Sequence, residues 1–352
     1  MSIGVSTDVD VSMDRARSIS AMVLQLFALN GIAVAYPFFS ILRHNPTYFV
    51  VNDTPALVLY GLAGVASLLI PSVLSLVIAG ARLYSVKGCW IAQIVFVSIL
   101  VAISFLPLTS RMTFLPDGVC IFVAVFFAGI TVHQYVSNRM VFIGIALLSP
   151  LTLLFPYQFI SDAQMKTVLR MADYENPTAA AVEVNNKVPV VIVLLDELPL
   201  LSILDANGEI DGNRFPNFAE FAGDATWYSN ATTVHDFTVE AVPAIITGNY
   251  PAGEGKQPLS EDYPENLFSL LEGYYAFNSH EEVTNFRRDP GDSVLASMDL
   301  ELFMSDMMVM YSHAVLPKGT ADLFARIDDD QWGEFRDDSD GAGGVGSGRR
   351  TQ

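Results

Sequence analysis

Long apolar segments dominate the first 160 residues of the chain. Five of them follow one another, and most have the ~20-residue length that crosses the hydrocarbon core of a bilayer as a helix. A core helix of a soluble protein is seldom this long and uncharged, so the series predicts a membrane α-helical bundle of five spans. The predicted spans are 21–42, 56–79, 89–108, 119–135 and 140–160.

The basic residues between these segments favour one orientation. Lys and Arg accumulate in short cytoplasmic loops. One set of loops carries five basic residues and the other carries two, so residues 1–20 are predicted to be cytoplasmic and everything after residue 160 extracytoplasmic. The five are Arg15, Arg17, Arg82, Lys87 and Arg139, and the two are Arg43 and Arg111.

The pattern changes after an amphipathic or irregular connector at 161–187. Residues 188–195 read VPVVIVLL, and a continuous run rich in Val and Ile is typical of a parallel strand buried on both faces. A second strand is predicted at 227–231, with helices at 215–222, at 238–247 and from residue 267 onward. Residues 188–335 are therefore predicted to be an α/β domain with a mostly parallel sheet, followed by a low-complexity, disordered tail at 336–352.

Charge separates the two halves of the chain. Residues 1–160 hold seven basic and five acidic residues, and residues 161–352 hold twelve and thirty-three, so net charges of +2 and −21 make up the total of −19. An acidic exterior domain argues against nucleic acid as a partner. Both cysteines, Cys89 and Cys120, fall in or at the edge of the apolar segments, so the exterior domain has no disulfide and no thiol nucleophile.

Two acids and a hydroxyl form the candidate site. The apolar run 188–195 ends in Asp196 and Glu197, and Thr238 follows forty-two residues after Asp196 at the head of a predicted helix. Ligands of open α/β sheets bind beyond the carboxyl ends of the strands. Acids there suit hard cations, and a Thr beside such a cation can attack as an alkoxide. We therefore expect Thr238 to begin a helix within about 5 Å of the Asp196 carboxylate, the distance set by a shared cation.

Ordinary structural roles remain open for the same residues. Asp196 and Glu197 also suit helix N-caps or turns, and Thr238 also suits an N-cap or a β-branched filler. His235 and Asp236, which flank the Thr, read as loop residues.

The region 188–251 resembles the N-terminal half of a sulfatase-type domain of the alkaline phosphatase superfamily. The resemblance rests on the acidic end of the predicted strand, on FPNF at 215–218 and on the motif AIITGNYP at 244–251. Thr238 falls where arylsulfatases place the Cys or Ser that becomes formylglycine. A Thr there is similar to the branch of lipoteichoic-acid synthases and phosphoethanolamine transferases, in which Thr attacks phosphorus.

The resemblance implies chemistry for each of these residues. Thr238 would be the catalytic nucleophile, and Asp196 and Glu197 would bind a divalent metal ion (Mn²⁺, Mg²⁺, Zn²⁺ or Ca²⁺). The domain would be a partial α/β sulfatase-type fold, acting on phospho- or sulfo-esters of the cell envelope.

The chain departs from that pattern in its second half. The family's further ligands, an Asp-His pair followed by Gly and another His, have no counterpart here. We therefore expect the domain to be truncated, with a separate chain as the candidate carrier of the C-terminal half, and we expect the chain alone to turn over no ester. The histidines of the chain are His44, His133, His235, His280 and His313.

Two classes of function follow. The first is a membrane-anchored, metal-dependent transferase or hydrolase that uses Thr238. The second is a non-catalytic membrane protein that carries a degenerate sulfatase-like remnant and acts by interaction. Both have the lipid bilayer as a partner.

Overall fold

The computed structural model divides the chain into two compact units. Residues Met1–Tyr174 together with Asp289–Gln352 form the first, and Glu175–Arg288 form the second. The structure describes residues 18–112, 115–170, 187–196, 198–251, 256–281, 283–287, 298–327, 333 and 335. Arg15, Arg17, Glu197, most of the connector and the tail 336–352 lie outside the described residues.

Five helical segments of the first unit are long and apolar enough to cross a membrane, as the hydrophobic pattern predicts. They differ from the predicted spans by a few residues at each end. The segments are Ile19–His44, Ala56–Tyr84, Val86–Ser110, Asp117–Ser137 and Arg139–Ser161, and we number them as spans one to five.

Short polar caps set where three of these helices begin. Ser18 accepts a hydrogen bond from the backbone N–H of Ala21, Ser85 accepts one from Gly88, and Asn138 accepts one from Met140. A side-chain oxygen at this position satisfies a backbone donor that the first turn leaves unpaired. The boundaries of the spans are therefore encoded locally.

Spans one and two each contain a widened π-helical turn in front of a proline. Span one consists of α1 (Ile19–Asn30), the turn Gly31–Ala35 and α2 (Tyr36–His44). Span two consists of α4 (Ala56–Gly64), the turn Val65–Leu69 and α5 (Ile70–Tyr84), while α3 is the short helix Pro46–Val51 between the spans. The prolines are Pro37 and Pro71, each the second residue after its turn. A proline ring clashes with the carbonyl four residues back, and we attribute the widening to that clash.

The remaining spans are simpler. Span three is α6 (Val86–Ser110), span four is α7 (Asp117–Ser137), and span five is split into α8 (Arg139–Leu147) and α9 (Leu151–Ser161) by a turn at 148–150. A short helix, α10 (Ala163–Arg170), follows span five.

Side chains at the centre of the bundle combine apolar packing with a polar cluster. Met22, Leu26, Val97 and Leu100 belong to the core. Among them, the Tyr135 hydroxyl donates to Gln25 Oε1 at 2.8 Å, and Gln93 Nε2 donates to the same oxygen at 3.1 Å. The outward side chains are apolar too: Leu76, Phe122 and Met140 are about 70 % exposed or more. Such a surface is suited to acyl chains rather than water.

A later helix of the chain belongs to this first unit as well. α14 (Leu300–Val315) packs on α2 and α6, and α15 (Lys318–Ala321) packs on α7. The sequence pattern assigned residues 188–335 to one exterior domain. In the structure these two helices lie on the membrane bundle, because α14 buries Phe303, Met307 and Met310 there.

The second unit contains three α-helices among its described residues. They are α11 (Pro216–Asp224), α12 (Thr238–Thr247) and α13 (Leu267–Leu271), close to the predicted positions. A 3₁₀ turn at Leu200–Ser202 and two isolated β-bridges, Leu204 with Ile210 and Leu259 with Asn285, complete the regular structure.

The predicted sheet is not found among the described residues of this unit. Residues 188–195 are extended but pair with no strand there, and Val191 and Val193 are 82 % and 71 % exposed. The prediction of a buried strand is therefore wrong for this structure. A strand is buried only when neighbours cover it, and its own composition cannot supply them. Residues 227–231 form an irregular turn rather than a strand.

Candidate functional site

Helix α12 carries the predicted nucleophile at its first position. Phe237 precedes it in an extended conformation, and the helix buries Pro243, Ala244 and Ile246 on one face. It ends at Gly248, whose φ of 71° lies in the left-handed region that glycine adopts without steric cost. Gly248 thus sets the C-terminal end of the helix locally, and Thr238 lies at its N-terminus.

The Thr238 hydroxyl meets the Asp196 carboxylate directly. Thr238 Oγ1 donates a hydrogen bond of 2.7 Å to Asp196 Oδ1. This distance is typical of a hydroxyl that donates to a charged acceptor. The two side chains therefore lie as close as the expectation from sequence required, although the exposed segment before Asp196 is not a sheet strand.

The geometry separates the structural roles that the sequence leaves open. Thr238 occupies the first helical position, while Phe237 occupies the N-cap. Asp196 lies in a turn, as one of these roles requires, and the next helical turn, Leu200–Ser202, begins only after Pro199. Neither residue therefore acts as a helix cap, and the turn that contains Asp196 also holds its hydrogen bond with Thr238. Glu197, the second predicted metal ligand, lies outside the described residues.

The loop before Thr238 is held by its own polar groups. His235 Nδ1 accepts a hydrogen bond from the Phe237 backbone N–H at 3.1 Å and lies 3.3 Å from Asp236 Oδ1. The Thr233 hydroxyl donates to the His235 carbonyl at 2.8 Å. His235 and Asp236 thus act as loop residues, as the sequence indicates, and they position the start of α12.

Glu240, two residues after Thr238, is an acid of α12 that the sequence analysis did not single out. It stands in the first turn of α12, half-buried, and its Oε2 is buried without a hydrogen-bond partner among the described residues. Burial of the Tyr263 ring raises the pKa of Tyr263, and the negative charge of Glu240 raises it further. In the sequence, Glu240 is only an acid in the first turn of a helix. Acids are common there because they interact favourably with the helix dipole.

The donor set fits a divalent metal ion in kind but not in number. A carboxylate and a hydroxyl are the oxygen ligands that Mg²⁺, Mn²⁺ and Ca²⁺ prefer. Such ions take about six or more ligands. Within the residues that the structure describes, no cluster of three or more His, Cys, Asp or Glu side chains could hold a metal ion. Asp196 and Thr238 would therefore hold a cation only as part of a larger set.

Comparisons with protein-family models, with characterised proteins and with solved structures find no match to this chain.

Proposed function

We propose that the chain is a membrane-anchored transferase or hydrolase of envelope phospho- or sulfo-esters, with Thr238 as its nucleophile. The observation that carries this proposal is the 2.7 Å hydrogen bond from Thr238 Oγ1 to Asp196 Oδ1. A hydroxyl at the start of a helix, aimed at a carboxylate from a distant part of the chain, is the arrangement that activates an alcohol for attack.

The chemistry can be written on the atoms of this pair. Asp196 Oδ1 accepts the Thr238 proton as Oγ1 attacks the phosphorus of the ester. The Oγ1–P bond forms, the bond from phosphorus to the leaving oxygen breaks, and its electron pair stays on that oxygen. A second molecule then attacks the phosphorus and releases the phosphoryl group from Thr238. If that molecule is an alcohol, the reaction is a transfer, and if it is water, the reaction is a hydrolysis.

Two further features support a phosphorylated substrate. Thr238 lies at the N-terminus of a ten-residue helix, where the helix dipole favours negative charge. A divalent cation bound to the two oxygens would add positive charge opposite the phosphoryl group. The remaining ligands of that cation are proposed to come from Glu197 and from a separate chain.

The membrane helices support the substrate's location. Five segments that can cross a bilayer anchor the chain that carries Thr238 to a membrane. We propose that the site is extracytoplasmic, on the basis of the Lys and Arg distribution. A substrate that carries its ester near the membrane would then reach Thr238 without release into bulk solvent.

The decisive experiment follows the fate of Thr238 in native membranes. Membranes containing the wild-type chain are incubated with a chromogenic phosphodiester, an aryl sulfate and Mn²⁺, and the peptide that holds Thr238 is examined by mass spectrometry. We expect a phosphoryl or sulfuryl adduct on Thr238 and ester turnover in these membranes. The purified chain alone is expected to be inactive.

Matched variants make the test specific. Thr238→Ala should reduce turnover at least about a thousandfold, whereas Thr238→Ser keeps a hydroxyl and should retain the adduct. Asp196→Asn should cost about a hundredfold, the usual contribution of a general base. Equal turnover by the wild type and Thr238→Ala, together with an unmodified Thr238 peptide, would refute the proposal.

A non-catalytic role is the alternative. The exposed apolar segment 188–195 favours it, because an uncovered stretch of Val and Leu is typical of a surface that binds another protein. The same membranes separate the two proposals: copurification of a partner that is lost in Val191→Asp, without any Thr238 adduct, supports the alternative.

A further inference from the structure

Helix α14 (Leu300–Val315) has two apolar faces, of which the bundle covers one. The covered face contains Phe303, Met307 and Met310, each 4 % exposed or less. The other face contains Leu300, Met304 and Met308, which are 60 %, 41 % and 59 % exposed. These three residues are four apart, so they form one stripe along the helix.

The covered face reaches deep into span one. The Tyr311 hydroxyl donates a 3.0 Å hydrogen bond to the Ala33 carbonyl, and its ring packs against Phe38. Ala33 lies eleven residues before the end of span one at His44, which corresponds to roughly 16 Å along a helix. That is about half of a ~30 Å hydrocarbon core. The Tyr311 side chain thus reaches the depth of the acyl chains.

This contact also satisfies a specific backbone need. Pro37 has no N–H and cannot donate to the Ala33 carbonyl four residues back, as a residue in a regular helix would. An unsatisfied carbonyl is costly within the hydrocarbon region, and neighbouring helices commonly supply the missing donor. The Tyr311 hydroxyl is a donor to this carbonyl from outside span one, and it ties α14 to the interior of the bundle.

A buried acid fixes the other part of the helix near the end of span one. Asp306, 2 % exposed, accepts hydrogen bonds from the Tyr48 hydroxyl at 2.9 Å and from the Phe335 backbone N–H at 3.1 Å. Burial and the charge of Asp306 raise the pKa of Tyr48, which keeps its hydroxyl protonated as the donor. The carboxylate is therefore enclosed within the protein and does not face outward.

The exposed charged residues of this segment stand at its ends, whereas Asp306 is buried. Glu301 is exposed at the start of α14, and Lys318 is exposed after its end. Between them, Met304 and Met308 are the exposed residues of the helix, and neither is polar. Beyond α15, Leu323 and Phe324 are exposed as well, at 83 % and 54 %. An exposed apolar stripe free of charged side chains is suited to contact with acyl chains.

We propose that α14 is a non-spanning membrane helix, with the stripe Leu300, Met304 and Met308 in contact with the acyl chains of one leaflet. The occupant of the exposed face is the lipid bilayer. A helix whose opposite face reaches mid-span depth cannot present the stripe to bulk water while the spans remain in the membrane. The chain after span five therefore returns to the membrane surface instead of continuing wholly into solvent. This proposal does not depend on the chemistry of Thr238.

The test places a fluorophore on the stripe and asks whether lipid quenches it. Single cysteines at Met304→Cys and Met308→Cys are introduced into a full-length background with Cys89→Ala and Cys120→Ala, labelled with bimane and reconstituted in vesicles. The vesicles contain phosphatidylcholine with or without doxyl groups on the acyl chains. Leu76→Cys, on the exposed face of span two, is the lipid-facing control, and Leu201→Cys, 82 % exposed in the second unit, is the solvent control.

We expect both stripe positions to lose about half of their fluorescence in doxyl vesicles, as Leu76→Cys should, because an embedded helix face contacts acyl chains directly. Leu201→Cys should lose little. A water-soluble quencher should give the reverse order. Quenching of Met304→Cys and Met308→Cys at the level of Leu201→Cys would overturn the proposal. So would efficient disulfide cross-linking of two copies through Met308→Cys, because a second copy would then cover the stripe.

A further variant, at Tyr311, tests whether the contact with Ala33 holds α14 at its depth in the membrane. Tyr311→Phe removes the donor to Ala33 and keeps the ring. It should leave the Leu76→Cys signal unchanged and should raise access of the water-soluble quencher to Met308→Cys. No change in that access would contradict the depth that the Tyr311 contact implies.

Discussion

The Thr238 hydroxyl and the Asp196 carboxylate touch although forty-two residues separate them in the chain. Each residue is unremarkable in its local context, since an acid after an apolar run and a Thr before a helix are both common. Their pairing distinguishes a site from two surface residues. The residue scale therefore carries the catalytic proposal, and substitutions at these two atoms are its most direct test.

A second residue-scale feature lies inside the bundle. Gln25, Gln93 and Tyr135 are each 1 % exposed or less, and they share hydrogen bonds around Gln25 Oε1. Gln25 Nε2 also donates to the Phe142 carbonyl at 2.7 Å. Polar groups in an apolar bundle hold neighbouring helices in register, since each has few alternative partners. The cluster joins spans one, three, four and five.

We predict that Tyr135→Phe destabilises the bundle by about 1 kcal/mol, the scale of a hydrogen bond between membrane helices. The ring and its packing are kept, so the loss is confined to the hydroxyl. Unfolding of the purified protein in mixed micelles measures the difference. Tyr84→Phe, at a position 93 % exposed, is the matched control and should be neutral. Equal stability of Tyr135→Phe and the wild type would show that the cluster does not bind the spans together.

At the scale of elements, the spans and the segment 188–195 behave in opposite ways. An isolated long apolar helix satisfies its own backbone hydrogen bonds, so a bilayer is enough to stabilise it. An isolated apolar strand satisfies none of its own backbone hydrogen bonds, so it needs a neighbouring strand on each edge. The hydrophobic pattern was accordingly a good guide to the spans. The same kind of pattern was a poor guide to a sheet that also depends on partner strands.

This contrast leads to a prediction for the exposed segment. Because Val191 is 82 % exposed, Val191→Asp should change the stability of the purified chain by no more than about 0.5 kcal/mol. The same substitution at a covered apolar position, Ile246→Asp on α12, should destabilise by about 3 kcal/mol or more, because it buries an unpaired carboxylate. Thermal unfolding of the three proteins tests this. A large loss in Val191→Asp would indicate that the segment is a buried strand after all.

At the scale of the whole molecule, the chain consists of a membrane unit and a second unit inserted between span five and α14. The second unit is the more acidic of the two: residues 175–288 hold eighteen acidic and five basic residues, and the rest of the chain holds twenty acidic and fourteen basic residues. An excess of acidic residues repels anionic lipid headgroups.

The topology prediction belongs to this scale. From five spans and the bias of Lys and Arg, we predict that the N-terminus is cytoplasmic and that residues after 160 are extracytoplasmic. A reporter that is active only in the cytoplasm should work when fused after Gly88 and should fail when fused after Ala180. A reporter that requires an oxidising exterior should give the opposite result. Cytoplasmic activity from the fusion after Ala180 would invert the predicted orientation or remove one span.

The amino-acid sequence by itself determined the number and approximate ends of the spans, the position of helix α12 and the pairing of Thr238 with Asp196. The spans follow from segment length and from caps such as Ser85, which act within a few residues. The C-terminal end of α12 follows from Gly248 in the same local way. The pairing did not come from local physics but from the order of motifs along 188–251, which indicated two residues that share a site.

Only the tertiary structure decided where the other apolar segments go. It left residues 188–195 exposed, it brought α14 onto the membrane helices, and it paired the Ala33 carbonyl with Tyr311 across the chain. Burial of an apolar segment depends on which other surface of the protein packs against it, and many apolar surfaces can pack against Val, Leu or Met equally well. The hydrophobic effect is not directional. The pattern of apolar residues in the sequence therefore indicates which residues are to be buried, but it does not specify the partner that buries them.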